Sequence, residues 1–260
     1  MNRTALQLAA LALLETTSAA FAQPWYARGA FYSAANELGQ PGLWGADSGN
    51  EVRDDGIGGD AVASDGIFSR LITTAVGPGR YEFKIGNLDW SDDAPTGFNI
   101  NCVIETFVAN DQVLVTFDTN TYLDGRIPQT RMVWSDRLVQ PLQGWYVVGD
   151  IPELGAWDPM LGVLAYPTGT GLFSATVYIG AAGPAQYKWT ADRQWIYQEV
   201  GGQGFSIRDT NHNVPMLATA PGFYEFLMDP SAGRVFVRPG GPTAVEATSW
   251  GRVKALYRAR

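Results

Sequence analysis

Trp145-Tyr146-Val147-Val148-Gly149, followed by Glu153-Leu154-Gly155 and Trp157, is an aromatic and β-branched run that stops at a glycine and opens into turn residues. Side chains of this kind fit a pleated, half-buried surface, and the glycine marks where the strand ends. The same grammar recurs downstream in Phe173-Ser174-Ala175-Thr176-Val177-Tyr178-Ile179, Gln186-Tyr187-Lys188-Trp189, Phe223-Tyr224-Glu225-Phe226 and Arg234-Val235-Phe236-Val237. Clusters of Gly, Pro, Asp and Asn separate these runs. Beyond the first residues, no segment keeps the i, i+3, i+4, i+7 apolar period of a major helix. The fold class is therefore all-β, and short antiparallel strands over about 100 residues make a β-sandwich.

The pattern occurs twice. Trp25-Tyr26-Ala27-Arg28-Gly29 answers Trp145-Tyr146-Val147-Val148-Gly149, and Glu37-Leu38-Gly39 with Trp44 answers Glu153-Leu154-Gly155 with Trp157. Further along, Gly66-Ile67-Phe68-Ser69 pairs with Gly171-Leu172-Phe173-Ser174, and Gly77-Pro78 with Gly183-Pro184. Phe83-Lys84 leading to Trp90 matches Tyr187-Lys188 leading to Trp195, and Asp118 matches Asp229. A colinear series of this length reads as two copies of one unit. The expectation is two tandem immunoglobulin-like β-sandwich modules, 25–136 and 143–239, the first with an Asp/Gly-rich insertion at 51–65.

The second copy, from Trp145 through Leu154-Gly155-Ala156-Trp157-Asp158-Pro159 to Tyr187-Lys188-Trp189 and Trp195, resembles the starch-binding modules appended to amylases, glucoamylases and pullulanases. More distantly it is similar to the glycogen-binding domain of the AMP-activated kinase. The first copy matches less closely: Leu38-Gly39 and Trp44 are separated by extra residues, and Asp158 has no clear counterpart. The insertion Asp54-Asp55-Gly56-Ile57-Gly58-Gly59-Asp60 is similar to loops in modules of bacterial pullulanases. The resemblance implies a carbohydrate-binding protein whose partner is a polysaccharide of α-glucan type. By position it assigns stacking to Trp157 and Trp195 with Lys188 as a hydroxyl donor, and Trp44, Trp90 and Lys84 as their counterparts.

The residue chemistry agrees with that assignment. The C–H face of a pyranose packs on an indole, a large stiff surface that costs little entropy to order. Two indoles set at an angle suit a curved α-1,4 chain. Trp25 and Trp145 lie inside strands and read as core, the usual place for tryptophan. Trp157 and Trp195 stand among turn residues and read as platforms. The two lysines serve equally well as sugar donors or as side chains that snorkel at a strand edge.

Composition removes other functions. The 260 residues carry a net charge of −8, so a polyanion is repelled and nucleic-acid binding is not expected. One His and one Cys leave no zinc cluster, no disulfide framework and little acid–base chemistry. Cys102 reads as a buried thiol and His212 as a loop residue. The 54–65 loop holds enough oxygen ligands for Ca²⁺ but lacks EF-hand spacing, so it reads as solvated turns and no metal or cofactor is assigned. Acidic residues are scattered, and two modules consume the chain, so no catalytic residues are assigned and an enzyme is not expected. The alternative is a structural or protein-interaction sandwich of the cell envelope without sugar binding. Burial of Trp157 and Trp195 would favour it, and exposed, mutually angled indoles would favour sugar.

The amino terminus reads as a sorting signal, and the carboxyl terminus reads in two ways. Arg3, the apolar stretch 5–14 and Ala20-Phe21-Ala22 form a signal peptide, residues 1–22, so the protein is expected to be secreted or at the cell surface. No later apolar run is long enough for a transmembrane span. The tail, 240–260, carries Arg252, Lys254, Arg258 and Arg260 beside Trp250. It reads either as a docking or sorting peptide for another protein or as a last strand with a frayed end.

Overall fold

Alternating side chains with glycine-bounded ends make strands throughout the computed structural model, which describes residues 23–31, 44–124, 127–208 and 212–240. The signal segment, Glu37-Leu38-Gly39 and the basic tail lie outside the described residues. In chain order the strands are β1 (Trp25–Gly29), β2 (Glu51–Val52), β3 (Ile67–Thr73), β4 (Gly79–Gly86), β5 (Asp93–Ala94), β6 (Cys102–Thr106), β7 (Gln112–Asp124), β8 (Ile127–Ser135) and β9 (Trp145–Gly149). They continue as β10 (Val163–Leu164), β11 (Tyr166–Pro167), β12 (Phe173–Ile179), β13 (Gly183–Ala191), β14 (Glu199–Gly201), β15 (Gly204–Ser206), β16 (Val214–Ala218), β17 (Gly222–Asp229) and β18 (Arg234–Pro239). Two 3₁₀ turns, Pro152–Leu154 and Pro159–Leu161, are the helical content of the described residues. None of these is long and apolar enough to cross a membrane.

The protein is all-β and built as sandwiches. In the first half β2-β1-β4-β5, with β6 on β4, faces the antiparallel set β3-β7-β8. Ala27, Phe83, Ile85 and Ile104 from one layer meet Ile72, Val113, Val115 and Phe117 from the other. In the second half β10-β9-β13, with β16 on β13, faces β11-β12-β17-β18 around Val147, Tyr187, Trp189, Phe226 and Val235. Trp145 belongs to this core, and Trp25 packs edge-on to Phe117 at 5.0 Å.

The sequence-matched residues occupy matched registers. Gly29 faces Phe83 and Arg28 faces Lys84, as Gly149 faces Tyr187 and Val148 faces Lys188. Phe83 pairs with Cys102 as Tyr187 pairs with Val214. In the facing layer Phe68 pairs with Phe117 as Phe173 pairs with Met228.

One connection is not written in the repeat. The hairpin β14–β15 lies alongside β13 of its own half and its second strand pairs, in parallel, with β8 of the other, Gly204 facing Val133. A single nine-stranded sheet therefore runs through both halves. Adjacent β8 residues point to opposite faces, so Val133 enters the first core while Trp134 packs on the second. Where the sequence suggests two units joined by a short segment, the folded chain adds a sheet seam. Ile207 donates to the Asn101 carbonyl and the Cys102 thiol reaches the Phe205 carbonyl across it. Cys102 is buried, and burial pushes its thiol pKa well above the usual range.

Candidate functional site: two tilted indole pairs and a groove

Each indole pair begins at the glycine that ends a strand. A Cβ on Gly29 would lie 2.6 Å from the Glu82 carbonyl oxygen, and one on Gly149 would lie 2.5 Å from that of Gln186, so only glycine fits at either end. The Gly149 carbonyl then accepts the N–H of Trp157 at 2.7 Å, and the Gly29 carbonyl that of Trp44 at 3.5 Å. Both tryptophans adopt left-handed backbone, with φ of 66° and 57°. That conformation is costly for a bulky residue and persists only when its surroundings impose it. Asp158 accepts the Met160 N–H and caps the second 3₁₀ turn, and Leu154 is buried beneath Gly149.

The partner indoles come from the turns after β4 and β13. Trp44 and Trp90 lie 6.4 Å apart with their planes at 45°; Trp157 and Trp195 lie 6.4 Å apart at 56°. Trp90 is 39% exposed, and the other three are partly exposed. Residues separated by dozens of positions, matched only by their order in the sequence, thus form the same tilted pair twice.

Different cations brace the two pairs, and strand register explains why. In the first half Arg28 stands opposite Lys84, stacks on Trp90 with its guanidinium carbon 3.8 Å from the ring centre, and donates to the Trp44 carbonyl at 2.7 Å. It also donates to the Asn87 carbonyl at 2.9 Å. Burial lowers its pKa to about 10, which still leaves it charged at neutral pH. Lys84 turns instead to the Asp93 carboxylate and the Gly97 carbonyl. In the second half Val148 occupies the position of Arg28 and offers no charge. Lys188 takes over: its ammonium lies 4.3 Å from the centre of Trp195 and 5.9 Å from that of Trp157, ion-paired to Glu199 at 2.7 Å. The Lys188 and Glu199 side chains are 2% and 1% exposed. Lys188 therefore sits beneath its indoles rather than beside them at the surface, where the sequence reading puts a donor.

One of the two indole pairs, that of the first half, borders a groove. This groove, of about 570 Å³, is lined by Trp44, Lys84, Trp90, Asp93, Phe98 and Asn101, among others. That is a ligand-sized volume, and apolar walls with a few fixed polar groups are what such sites require. Its carboxylates are engaged: Asp92 binds Arg131 at 2.7 Å, and Asp93 binds Lys84. Sequence reasoning missed Arg28, Phe98 and Asn101. A charge within a strand otherwise built for burial, and an apolar residue among the Asp, Gly and Asn of the segment between Trp90 and β6, were the available signals.

Two other readings resolve differently. The Asp54, Asp60 and Asp65 carboxylates lie within 4.8 Å of one another, yet Asp54 accepts the N–H groups of Asp65 and Gly66, and Asp60 that of Gly56. The loop is stitched by its own backbone, with Asp60 buried rather than solvated. His212 is also buried, although it lies between strands. Burial, then the charges of Lys188 and Lys84, push its pKa down to about 4 from 6.5. The unfolded chain then binds this proton at a pH where the folded chain does not, so stability falls between about pH 6.5 and 4 by roughly 3 kcal/mol. Chemical denaturation of the parent and of His212→Gln should show a shallower acid loss for the variant across that window; equal slopes would remove His212 from the account.

No protein-family description matches the chain, and no curated protein does. Among solved structures, SusF from Bacteroides thetaiotaomicron is similar at 15% sequence identity with a TM-score of 0.29, the likeness covering 85% of this chain and 49% of that one. The chain thus spans about half the length of that structure.

Proposed function

We propose that this chain is a non-catalytic, exported carbohydrate-binding protein of two tandem sandwich modules that holds α-glucan on the pairs Trp44/Trp90 and Trp157/Trp195. The observation that carries the reading is the repetition of one tilted indole pair, at the same 6.4 Å separation, from residues in matched registers. A core does not need three partly exposed tryptophans, Trp44, Trp90 and Trp157, bent into left-handed backbone, whereas a curved chain of glucose rings needs two apolar platforms that are not coplanar. Arg28 and Lys188 serve as positioning residues that hold Trp90 and Trp195 from below. Lys84 stands at the wall of the first groove.

Native electrophoresis in gels cast with soluble starch, glycogen, a cellulose derivative or no polymer tests the reading. Retardation is expected in starch and glycogen only. Trp90→Ala and Trp195→Ala should each reduce it, and the double variant should abolish it. Equal mobility in all gels would leave the structural sandwich as the better reading.

A further inference from the structure

We propose that Phe98 is a third sugar platform, on the wall of the first-half groove formed by the 91–101 loop, and that the β14–β15 hairpin of the other half holds it there. The inference rests on the reading of the indole pairs as α-glucan platforms and adds a residue of the first copy that lies outside the repeated pattern. A lone exposed apolar side chain means little. Phe98 differs because it is 93% exposed and lines the same concavity as Trp44 and Trp90.

The backbone on both sides of Phe98 is fixed. The Ile100 N–H closes a turn on the Gly97 carbonyl at 3.3 Å, with Gly97 and Asn99 both at positive φ. Asparagine and glycine are the residues that tolerate that region, and a Cβ on Gly97 would come within 2.4 Å of the Ile100 side chain. Phe98 is thereby left at the projecting corner of the turn. The Gly97 carbonyl is bonded by Lys84.

The remaining anchors come from the second half. Gln203, between β14 and β15, accepts the Thr96 N–H at 2.9 Å, and Arg208 donates to the Asn99 carbonyl at 3.4 Å. Arg208 also pairs with Glu82 at 2.7 Å, which in turn accepts from the Asn101 side chain at 2.6 Å. A ring whose backbone is already fixed before the ligand arrives adds contact area at the ordering cost of its own side chain alone. In the second half the segment between Trp195 and β16, which pairs with β13 as β6 pairs with β4, carries the β14–β15 hairpin instead; Tyr197 there packs against the second core and Phe205 lies inside it. Ile196, though exposed, lines a separate hollow with Arg80 and Tyr81. The first groove therefore grips a glucan with three aromatic rings, whereas the second pair presents two.

The test is titration calorimetry with maltoheptaose on the full chain carrying Trp195→Ala, which leaves the first groove as the remaining site. Phe98→Ala is expected to weaken binding by about tenfold or more, and Phe98→Tyr to stay within about threefold of the parent. Arg208→Ala is expected to weaken binding without lowering the melting temperature to the same degree as a core variant, with recovery in Arg208→Lys, which keeps the pair with Glu82. Unchanged affinity in Phe98→Ala, while Trp90→Ala still abolishes binding, would overturn the role of Phe98 and leave the two-indole reading intact. Unchanged affinity in both Gln203→Ala and Arg208→Ala, with loss in Phe98→Ala, would overturn the role of the hairpin and of Arg208 just beyond it. If neither the parent nor the Trp195→Ala chain binds any α-glucan, the underlying reading fails and this proposal with it.

Discussion

Glu199→Ala is expected to destabilise the fold by about 3–5 kcal/mol, because it leaves the ammonium of Lys188 buried under two indoles without its counter-charge. The pair is almost fully enclosed, so bulk water cannot replace the carboxylate. Removing both charges together, as Lys188→Met with Glu199→Gln, should recover a large part of that loss, since the cost lies in the uncompensated ion rather than in the missing attraction. Urea denaturation of the three proteins checks this. A single variant within about 1 kcal/mol of the parent would mean that water or local rearrangement solvates Lys188. The near-ultraviolet dichroism of the Trp157/Trp195 pair should change in Glu199→Ala, because the cation that fixes the lower faces of both rings has lost its own anchor.

The second large effect concerns the seam. Gly204 has φ 80°, and a Cβ there would lie 2.5 Å from the Val133 carbonyl oxygen of the neighbouring strand. Gly204→Val should therefore combine backbone strain of about 1–3 kcal/mol with a direct clash that pushes β15 off β8. Phe205 in one core and Val133 in the other are coupled through this contact. The parent chain is expected to unfold in one calorimetric transition, with an enthalpy near 0.7 kcal/mol per residue, and Gly204→Val in two separated ones. Two transitions in the parent would show that the halves unfold independently despite the shared sheet.

The all-β class was legible because alternation and glycine punctuation are local properties. So was the pairing of Trp44 with Trp90 and of Trp157 with Trp195, since order along two copies carries spatial information when the copies share a register. The different tasks of Lys84 and Lys188 were not legible. They depend on whether arginine or valine stands across the ladder, at residues 28 and 148, and a cross-strand neighbour becomes known only with the register. The seam escaped for a related reason. A short parallel contact between distant strands leaves no periodic mark, and Gly204 reads in sequence as one more turn glycine. Phe98 carried a weak signal, as an apolar residue inside a loop of Asp, Gly and Asn, but its exposure is a property of the finished turn.

The strand shared by both halves also bears on how such a chain can change over generations. An ordinary tandem array permits one unit to be lost, exchanged or transplanted by recombination, because each carries its whole interior with it. Here a cut between the halves would strip Trp134 from the second interior and leave β8 with a bare edge beside Val133. Selection is thus confined to altering the loops in place, and the unequal lengths of the segments after Trp90 and Trp195 are the kind of divergence that such a constraint leaves open.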